Sequence, residues 1–513
     1  MTTATIIKRN YKNLKGVDFS NEPCLVDINR SPDALNVWKN YYNADDICIE
    51  TRPGYEFLAK IGEKINGIYI LKNNITIVHS KNTLYEWSNF PNQPDATHLK
   101  EIYTDMNNKR TSFNFFEKKL YINDGKNYLV YDGKSCKKVS DDEPFIPTTS
   151  VGRKAGNIGG GETYQQVNLL TAKRKNSFAG DGTSKDFYLD ATKIDSEAVT
   201  VIVNDVPMIE DTDFTVDRDK GKITFNNAPS KPSFGNEDNI VITFSKNIEG
   251  YLDRINKCLI ALSFNNRLFF TGNPDYPNAI FHSQLKNPQY ISDLNYYEDG
   301  NSDSAIKGIC VGNNVLWVFK DSDQNNANIF YHEPTIDSDY GMTYPSKQGN
   351  VSVGCYAGCT NFEDDIVYLS RNGLEGINNT LIDSKQVIKH RSSLVDTKMI
   401  NEDKYKNAVM TTWNGYLCIL VGGKMFLADS RQKYSRSNSF EYEWFYWDIS
   451  KAKPSILKEY NNKLYIGSED GSIFFVSGTN DNNETINSYW TTPMDNFGYD
   501  NKLKTTNKKG RDC

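Results

Sequence analysis

The chain has few histidines, no common catalytic motif and no long apolar segment, features on which many active sites and membrane-spanning helices depend. Only 5 of its 513 residues are histidine, and it contains no G-x-S-x-G, H-E-x-x-H or P-loop motif. No stretch approaches the roughly 18 apolar residues of a membrane-spanning helix, and residues 1–10 lack the apolar core of a secretion signal. With a net charge of −6 and scattered Lys and Arg, it lacks the basic patch of a nucleic-acid-binding protein. We therefore predict no catalytic residues, no cofactor or metal site, no membrane insertion and no sequence-specific nucleic-acid binding.

Cysteines give no sign of a disulfide framework or a metal site. The chain has 9 of them, at irregular spacing. Cys258, Cys310 and Cys418 fall inside predicted strands, where cysteine behaves as a small apolar residue. The close pair Cys355 and Cys359 has no second pair of the kind that a zinc site requires. We expect free thiols and synthesis in a reducing cytosol.

Aromatic residues are abundant, and they recur in a repeating pattern. The chain has 31 Tyr and 26 Phe, which is typical of many short strands. Seven stretches each join a polar turn to an aliphatic–aromatic run, at 72–78, 116–122, 264–270, 312–318, 362–368, 413–419 and 460–466. Their turns begin at 73, 117, 265, 313, 363, 414 and 461, so that five of the six spacings lie between 44 and 51 residues. This is the period of a four-stranded propeller blade.

The repeat predicts an all-β chain, a β-propeller of about seven blades with six or eight as alternatives. The one long spacing, 148 residues, requires an inserted domain. Short strands separated by Gly, Asn, Asp and Pro turns indicate a small β-sandwich there. The predicted parts are an N-terminal lead-in segment at 1–60, propeller at 61–146, a linker at 147–175, the inserted sandwich at 176–245, propeller again at 246–479 and an extended C-terminal arm at 480–513.

Two local signals refine these boundaries. Ser31 followed by Pro32 has the form of a helix N-terminus, so we expect a short helix over 33–38. The glycine-rich run 156–161 favours a linker, because no hydrophobic strand precedes it and no helical pattern follows it, as a dinucleotide-binding loop would require.

The histidines show no sequence pattern of a catalytic site. His79 and His282 each stand beside a serine, Ser80 and Ser283, but no partner pattern completes a catalytic triad. We expect all five histidines to be surface or half-buried polar residues.

Several segments together resemble a family of structural propellers from tailed bacteriophages. The resembling segments are 50–56 (ETRPGYE), 64–69 (KINGIY), 269–278 (FFTGNPDYPN), 368–374 (YLSRNGL), 488–493 (SYWTTP) and 502–504 (KLK). Parts of 180–225 are similar to a β-module found in phage tail and fibre proteins.

This resemblance implies a structural component of the virion, in the tail or neck, like the tail-hub or head-stabilising propellers of short-tailed phages. It implies synthesis in the host bacterial cytoplasm, other tail or neck proteins as partners, and a cyclic homo-oligomer, with six copies favoured by analogy. In the arm 480–513, Tyr489 and Trp490 are candidate anchors for a neighbour.

Two other functions remain open from the sequence. A receptor- or glycan-binding propeller of the phage tail is favoured if the aromatic residues Trp413, Trp444, Tyr446 and Trp447 line an exposed groove. A hydrolase requires acidic residues clustered at the mouth of a central channel. A structural role is the main interpretation.

Overall fold

A computed structural model of the protein describes most of the chain. The described residues are 11, 13–41, 48–72, 74–156, 160–232, 237–321, 326–338, 341–349, 353–363, 365–378, 388–436 and 439–496. The segment 502–504 and Cys513 lie outside them. Two compact units are present, Ile65–Cys355 and Met1–Lys64 with Tyr356–Cys513. Both consist mainly of short strands in small sheets, which confirms the all-β prediction.

The unit Ile65–Cys355 contains four antiparallel four-stranded sheets, which we call A to D. Sheet A consists of Ile65–Ile70, Thr76–Ser80, Thr83–Trp87 and Leu99–Tyr103. Sheet B consists of Ser112–Phe116, Lys119–Asn123, Tyr128–Tyr131 and Cys136–Lys138. Sheet C consists of Ile260–Phe264, Arg267–Thr271, Ala279–His282 and Tyr296–Glu298. Sheet D consists of Ile306–Gly312, Val315–Lys320, Ile329–His332 and Ser346–Gln348, with a separate hairpin of Thr335–Asp337 and Gly341–Thr343.

The other unit contains three comparable sheets, E to G. Sheet E consists of Gly358–Phe362, Asp365–Ser370, Gly373–Asn378 and Ile388–His390. Sheet F consists of Val409–Trp413, Tyr416–Val421, Lys424–Arg436 and Ser439–Asp448. Sheet G has Pro454–Tyr460, Lys463–Ser468 and Ser472–Val476, followed across the sheet by Tyr55–Lys60, Asn480–Asp481 and Glu484–Thr485. Two small pairs complete the unit, Val37–Lys39 with Ile49–Thr51 and Ala34–Leu35 with Tyr489–Trp490.

Helices are short and few in the described ranges. The α-helices are Tyr251–Asn256 and Asp396–Met399, and the 3₁₀ turns are Val139–Asp141, Tyr405–Asn407 and Ser450–Ala452.

Each of the seven predicted hairpins joins the first and second strands of one sheet. In sheet C, for example, Phe264 pairs with Arg267 across a two-residue turn, in which Asn265 and Asn266 have φ of 47° and 55°. Tight hairpin turns of this kind need positive φ at both central residues, which Asn and Gly tolerate best. The hairpin predictions are therefore confirmed, and their spacing along the chain is the spacing of whole sheets.

Neighbouring sheets within a unit share hydrophobic cores. Leu120 and Ile122 of sheet B pack with Ile77 of sheet A, whereas Tyr121, between them, packs with Phe270 of sheet C. Sheets C and D share a further core, and in the other unit sheet F packs on E by one face and on G by the other. The inner strands are therefore buried on both faces and appear in sequence as continuous apolar runs.

The inserted module is a two-layered β structure around its own core. A six-stranded sheet contains, in spatial order, Glu162–Thr163, Thr148–Lys154, Lys173–Ala179, Ile240–Ser245, Thr200–Val203 and Val206–Met208. A three-stranded sheet contains Asp186–Tyr188, Lys222–Phe225 and Phe214–Asp217. The strands predicted within 176–245 are present.

Two predictions about local structure are wrong. Residues 34–35 and 37–39 form strands, not a helix, because Ala34 and Leu35 pair with Trp490 and Tyr489, over 450 positions away in the chain. The predicted linker 147–175 includes the strand Thr148–Lys154, which pairs in parallel with Lys173–Ala179. Of the glycine-rich run, 157–159 lie outside the described residues.

Candidate functional site

The most distinctive site in the molecule is the place where the two ends of the chain are joined. The N-terminal strand Tyr55–Lys60 pairs antiparallel with Ser472–Val476 and completes sheet G. Beyond it, the segment 480–494 runs back over the segment 23–36. We call residues 31–60 together with 472–494 the terminal clamp.

Arg52 is the central residue of the terminal clamp. Its side chain is buried, and its two terminal nitrogens bind the carboxylate of Asp481 in a bidentate pair, each at 2.7 Å. The same nitrogens donate to the backbone carbonyls of Pro53 and Asp448, both at 2.9 Å, and Nε donates to Asn36 Oδ1 at 2.9 Å. All five N–H donors of the guanidinium are therefore used, and the burial of its charge is compensated.

Asn36 links the same three parts of the chain. It has φ of 55°, in the left-handed region that Asn tolerates better than most residues. Its Oδ1 accepts from Asp448 N at 2.8 Å as well as from Arg52, and its Nδ2 donates to Asn487 O at 2.8 Å. A residue without both a donor and an acceptor in its side chain could not fill this position without leaving a buried polar group unpaired.

The C-terminal part of the terminal clamp is held by short polar contacts. Ser31 Oγ donates to Thr491 O at 2.6 Å, and Thr491 N donates to Asp33 O at 3.1 Å. Tyr489 Oη donates to the carboxylate of Asp33 at 3.2 Å. Up to residue 496, the predicted extended arm is thus bound to its own chain, and 497–513 lie outside the described residues.

The structure places the predicted interaction residues in two different environments. Tyr489 is 40% exposed, and Trp490 is half-buried against the core that sheets E and F share. Trp444, Tyr446 and Trp447 are buried, so the expectation that they contact a partner or line an exposed groove is wrong. Trp413, the fourth aromatic of the glycan-binding alternative, is buried as well.

These buried aromatics hold the N-terminal segment. Trp447 Nε1 donates to Val37 O at 3.1 Å, and Tyr446 O accepts from Asn36 N at 3.0 Å. Trp38 stacks on Trp413, with ring centroids 5.5 Å apart. The sequence carries a signal for this burial: the run 444–447 is aromatic at every position, which is typical of a strand buried on both faces.

Three of the five histidines are buried, against the expectation. Burial lowers the pKa of His79 and of His282 to about 4, so both rings are neutral near pH 7. His332 is held by Asp299 at 3.0 Å and by the backbone carbonyl of Tyr344 at 2.7 Å. Each ring has a hydrogen-bond partner, which makes its burial tolerable.

His390 is the histidine whose surroundings come nearest to those of a catalytic group. Burial by itself would lower its pKa, but hydrogen bonds to Asp396 at 2.6 Å and to Glu375 at 3.1 Å outweigh that effect and raise the pKa to about 10. The ring is therefore a cation at neutral pH and unable to act as a general base. The neighbouring Ser392 Oγ donates to Asp396 at 2.6 Å and not to the imidazole. The cluster therefore connects sheet E to the helix Asp396–Met399 through hydrogen bonds.

The described ranges contain neither a metal-binding cluster nor a membrane-spanning helix. No three His, Cys, Asp or Glu side chains there are grouped so that they could hold a metal ion. No helix in those ranges is long and apolar enough to cross a membrane. Eight cysteines are free thiols, and Cys258, Cys310 and Cys418 are buried as predicted. Cys310 and Cys418 lie in strands, but Cys258 lies between the helix Tyr251–Asn256 and the strand Ile260–Phe264, so its strand prediction is wrong.

Comparisons with known proteins gave no family. No family model matches the chain, and no curated protein matches it. Among solved structures, BamB from Moraxella catarrhalis is similar with a TM-score of 0.34 and 11% identity, over 85% of this chain and 84% of that one. The designed protein Ika8 gives 0.35 and 10%, over 82% and 99%. The AfRom2 CNH domain gives 0.38 and 5%, over 82% and 98%. Likenesses at this level identify neither a family nor a function.

Proposed function

We propose that this protein is a structural β-propeller of a tailed-bacteriophage particle, acting as a hub or connector in the tail or neck. In this proposal, sheets A to G are seven blades of one ring, and the inserted module projects from it. Copies of the chain form a cyclic oligomer, with six favoured, that joins other tail or neck proteins during assembly and genome delivery. The phage-like segments of the sequence suggest this role.

The observation that carries the proposal is the terminal clamp. A protein that transmits force between the parts of a particle must resist unravelling from its ends. Here the N-terminal strand lies inside sheet G, between Ser472–Val476 and Asn480–Asp481. Neither Tyr55–Lys60 nor Asn480–Asp481 can leave the sheet without breaking sheet hydrogen bonds and the buried pair of Arg52 with Asp481. Since the eight described cysteines form no disulfide, these non-covalent contacts provide the closure.

Sheet geometry supports a ring of blades. Within each unit the first strands of consecutive sheets lie side by side: Ser112–Phe116 beside Ile260–Phe264, and Val409–Trp413 beside Pro454–Tyr460. Successive sheets also stack through shared cores. Blades arranged around a common axis have this geometry, and a closed ring removes the sheet edges that promote aggregation.

Two measurements test the proposal. Peptide mass spectrometry of purified particles, from the phage that encodes the chain, should find it in a fixed ratio to the other tail proteins. Electron microscopy of the recombinant protein should show a ring of blades and a cyclic assembly. Finding the chain in infected cells but never in particles would refute the virion role. An open stack of sheets would refute the propeller.

A further inference from the structure

One face of the unit Ile65–Cys355 combines exposed tyrosines with unpartnered arginines. It lies where the helix Tyr251–Asn256 meets sheet C, and we call it the tyrosine–arginine face. Its members are Arg174, Tyr251, Arg254, Tyr276, Asp293 and Tyr296.

The helix is fixed to the sheet next to this face. Asn273 Nδ2, in the loop between the second and third strands of sheet C, donates to the backbone carbonyls of Asp253 and Arg254 at 3.1 and 2.9 Å. The Arg254 guanidinium is thereby held between two tyrosines, 4.7 Å from the ring centre of Tyr251 and 5.4 Å from that of Tyr276. Stacking of this kind orients a guanidinium without using its N–H groups.

Two tyrosines of the face are open to solvent. Tyr276 is 36% exposed and Tyr296 is 40% exposed. Both rings contact the buried ring of Phe281, with centroid separations of 6.0 and 5.9 Å. Their ring centres are therefore within about 12 Å of each other, and each ring is supported by the same buried side chain.

Arg174 and Arg254 are unusual because the described residues supply no acceptor for their side chains. Arg174 is only 9% exposed and stacks on Phe244 at 5.5 Å, yet among the described residues neither arginine forms a hydrogen bond or an ion pair through its side chain. Nε of both is buried without a partner. Arg174 is buried, and buried arginines normally have hydrogen-bonded or ionic partners. Arg254 is half-buried, and the terminal nitrogens of both arginines are left to bind an anion.

Asp293 adds an acceptor beside these donors. Tyr251 Oη donates weakly to Asp293 Oδ2 at 3.4 Å, and Oδ1 has no partner. Burial raises the pKa of Asp293, an effect that the hydrogen bond from Tyr251 and the charges of Arg254 and Arg174 oppose. All three charged groups therefore lie near one another without direct pairing, and the face has one more positive than negative charge.

A cavity beside the face is too small to be the binding site itself. It measures about 80 Å³ and is lined by Tyr251, Leu252 and the segments 167–172 and 246–248, which flank the strands Lys173–Ala179 and Ile240–Ser245 of the inserted module. This volume holds a few water molecules and not a sugar ring. A ligand must therefore lie on the open tyrosine surface.

We propose that the tyrosine–arginine face binds a saccharide that carries a carboxylate. The guanidinium groups of Arg254 and Arg174 pair with the carboxylate, since the guanidinium fork matches that group. The rings of Tyr276 and Tyr296 accept the apolar face of the sugar, and Asp293 accepts from its hydroxyl groups. This site goes beyond the proposed structural role and does not depend on it.

The mixed chemistry favours a saccharide over a simple anion. A site for inorganic phosphate would need neither two exposed tyrosines nor an acceptor carboxylate, which would repel the ion. An acidic sugar uses all three kinds of group, because it presents a charge, hydroxyl donors and an apolar ring face together. Preorganised, stacked side chains would lose little conformational freedom on binding.

An array of acidic and neutral glycans tests the proposal directly. The intact protein should bind glycans that carry carboxylates and discriminate against neutral analogues. Arg254→Ala and Tyr296→Ala should each weaken binding by about tenfold or more. Lys257→Ala is the matched control: it removes a positive charge one residue beyond the same helix, where Lys257 already pairs with Asp253 and Asp275, and it should leave binding unchanged.

Further variants keep the test decisive. If Arg254→Ala melts at a lower temperature than the parent protein, Arg254→Lys retains the charge but not the fork and should still bind more weakly. Soluble polyglutamate should not displace the glycan at equal carboxylate concentration. Failure to bind any glycan, equal binding of neutral glycans, displacement by polyglutamate, or equal loss in Lys257→Ala would each overturn the proposal.

Discussion

At the scale of single residues, burial decides which polar groups matter for stability. The exposed pair Lys451–Glu484 and the buried pair Arg52–Asp481 attach the same short hairpin, Asn480–Thr485, to the rest of the protein. Exposed ion pairs contribute little, whereas breaking a buried pair leaves an uncompensated charge. This contrast allows the terminal clamp to be tested with two conservative substitutions.

We expect Asp481→Asn to destabilise the protein by about 3 kcal/mol, because Arg52 would remain buried without its counter-charge. Glu484→Gln makes the same chemical change three residues later, at an exposed site, and should leave the unfolding midpoint unchanged. Urea unfolding of both variants, followed by tryptophan fluorescence, measures the difference. Equal effects of the two substitutions would show that the clamp does not depend on the buried pair.

The buried histidines predict loss of stability in mild acid. The pKa of His79 is lowered by burial to about 4, against about 6.5 in an unfolded chain. As the pH falls below 6.5, the unfolded chain binds the proton first. The stability contributed by the neutral ring is therefore complete above about pH 6.5 and is lost as the pH approaches 4, by up to about 3 kcal/mol.

The variant His79→Gln removes this titration. Its melting temperature should therefore change less between about pH 7.5 and about pH 4.5 than that of the parent protein. His390 has the opposite sign, because its raised pKa gives stability that is present below pH 6.5 and is lost as the pH rises towards 10. His390→Gln should thus leave the acid limb of the stability profile unchanged. An unaltered acid limb in His79→Gln would contradict the assignment.

At the scale of elements, the sequence predicts what local chemistry determines and misses what distant pairing determines. All seven hairpins were found because Asn, Asp, Glu and Gly mark their turns. The helix predicted after Ser31 fails because its capping signal is overridden by pairing with Tyr489 and Trp490. The terminal clamp could not be predicted for the same reason: Arg52 and Asp481 carry no local sign that they meet.

Turn chemistry can be improved at one hairpin. Glu117 and Lys118 have φ of 45° and 67°, where neither residue is favoured. We expect the double substitution Glu117→Asn and Lys118→Gly to stabilise the protein by about 1 kcal/mol. In the turn 414–415, which is already Asn-Gly, Gly415→Lys serves as the reverse control and should lower the melting temperature. A lower melting temperature for the Asn-Gly graft would show that this turn is not limited by its backbone conformation.

The part of the inserted module at 173–245 should be removable at a specific joint, with the strands Thr148–Lys154 and Glu162–Thr163 left in place. Lys246 N donates to Ala172 O at 2.9 Å, so deleting 173–245 allows Ala172 and Lys246 to be joined directly. The shortened chain keeps Leu169 and Leu170, which are buried in the core between sheets B and C, and we expect it to fold. Deleting 166–245 instead removes both leucines and should cost several kcal/mol, roughly 2–5 for each.

Circular dichroism and thermal melting of the two deletions measure this difference. The prediction fails if the shorter deletion is insoluble or if the two deletions melt alike. The first result would mean that the module is part of the folding core of its unit. The second would mean that Leu169 and Leu170 are not needed there.

At the scale of the whole molecule, the two ends of the chain build one sheet. Lys60 and Ser472 lie directly opposite each other on the paired strands Tyr55–Lys60 and Ser472–Val476. The chain between them covers sheets A to F and the inserted module, so this single strand pairing closes nearly the entire polypeptide into a loop.

We expect the double variant Lys60→Cys/Ser472→Cys to form a disulfide on mild oxidation and to gain about 5 kcal/mol of stability, since the stabilisation of a crosslink grows with the loop that it closes. Non-reducing electrophoresis should show a faster-migrating monomer, and the melting temperature should rise only in the oxidised form. The single variants Lys60→Cys and Ser472→Cys control for the substitutions. Disulfide-linked dimers in place of the closed monomer would show that the N-terminal strand pairs with another copy, and the terminal clamp would then be a joint between subunits.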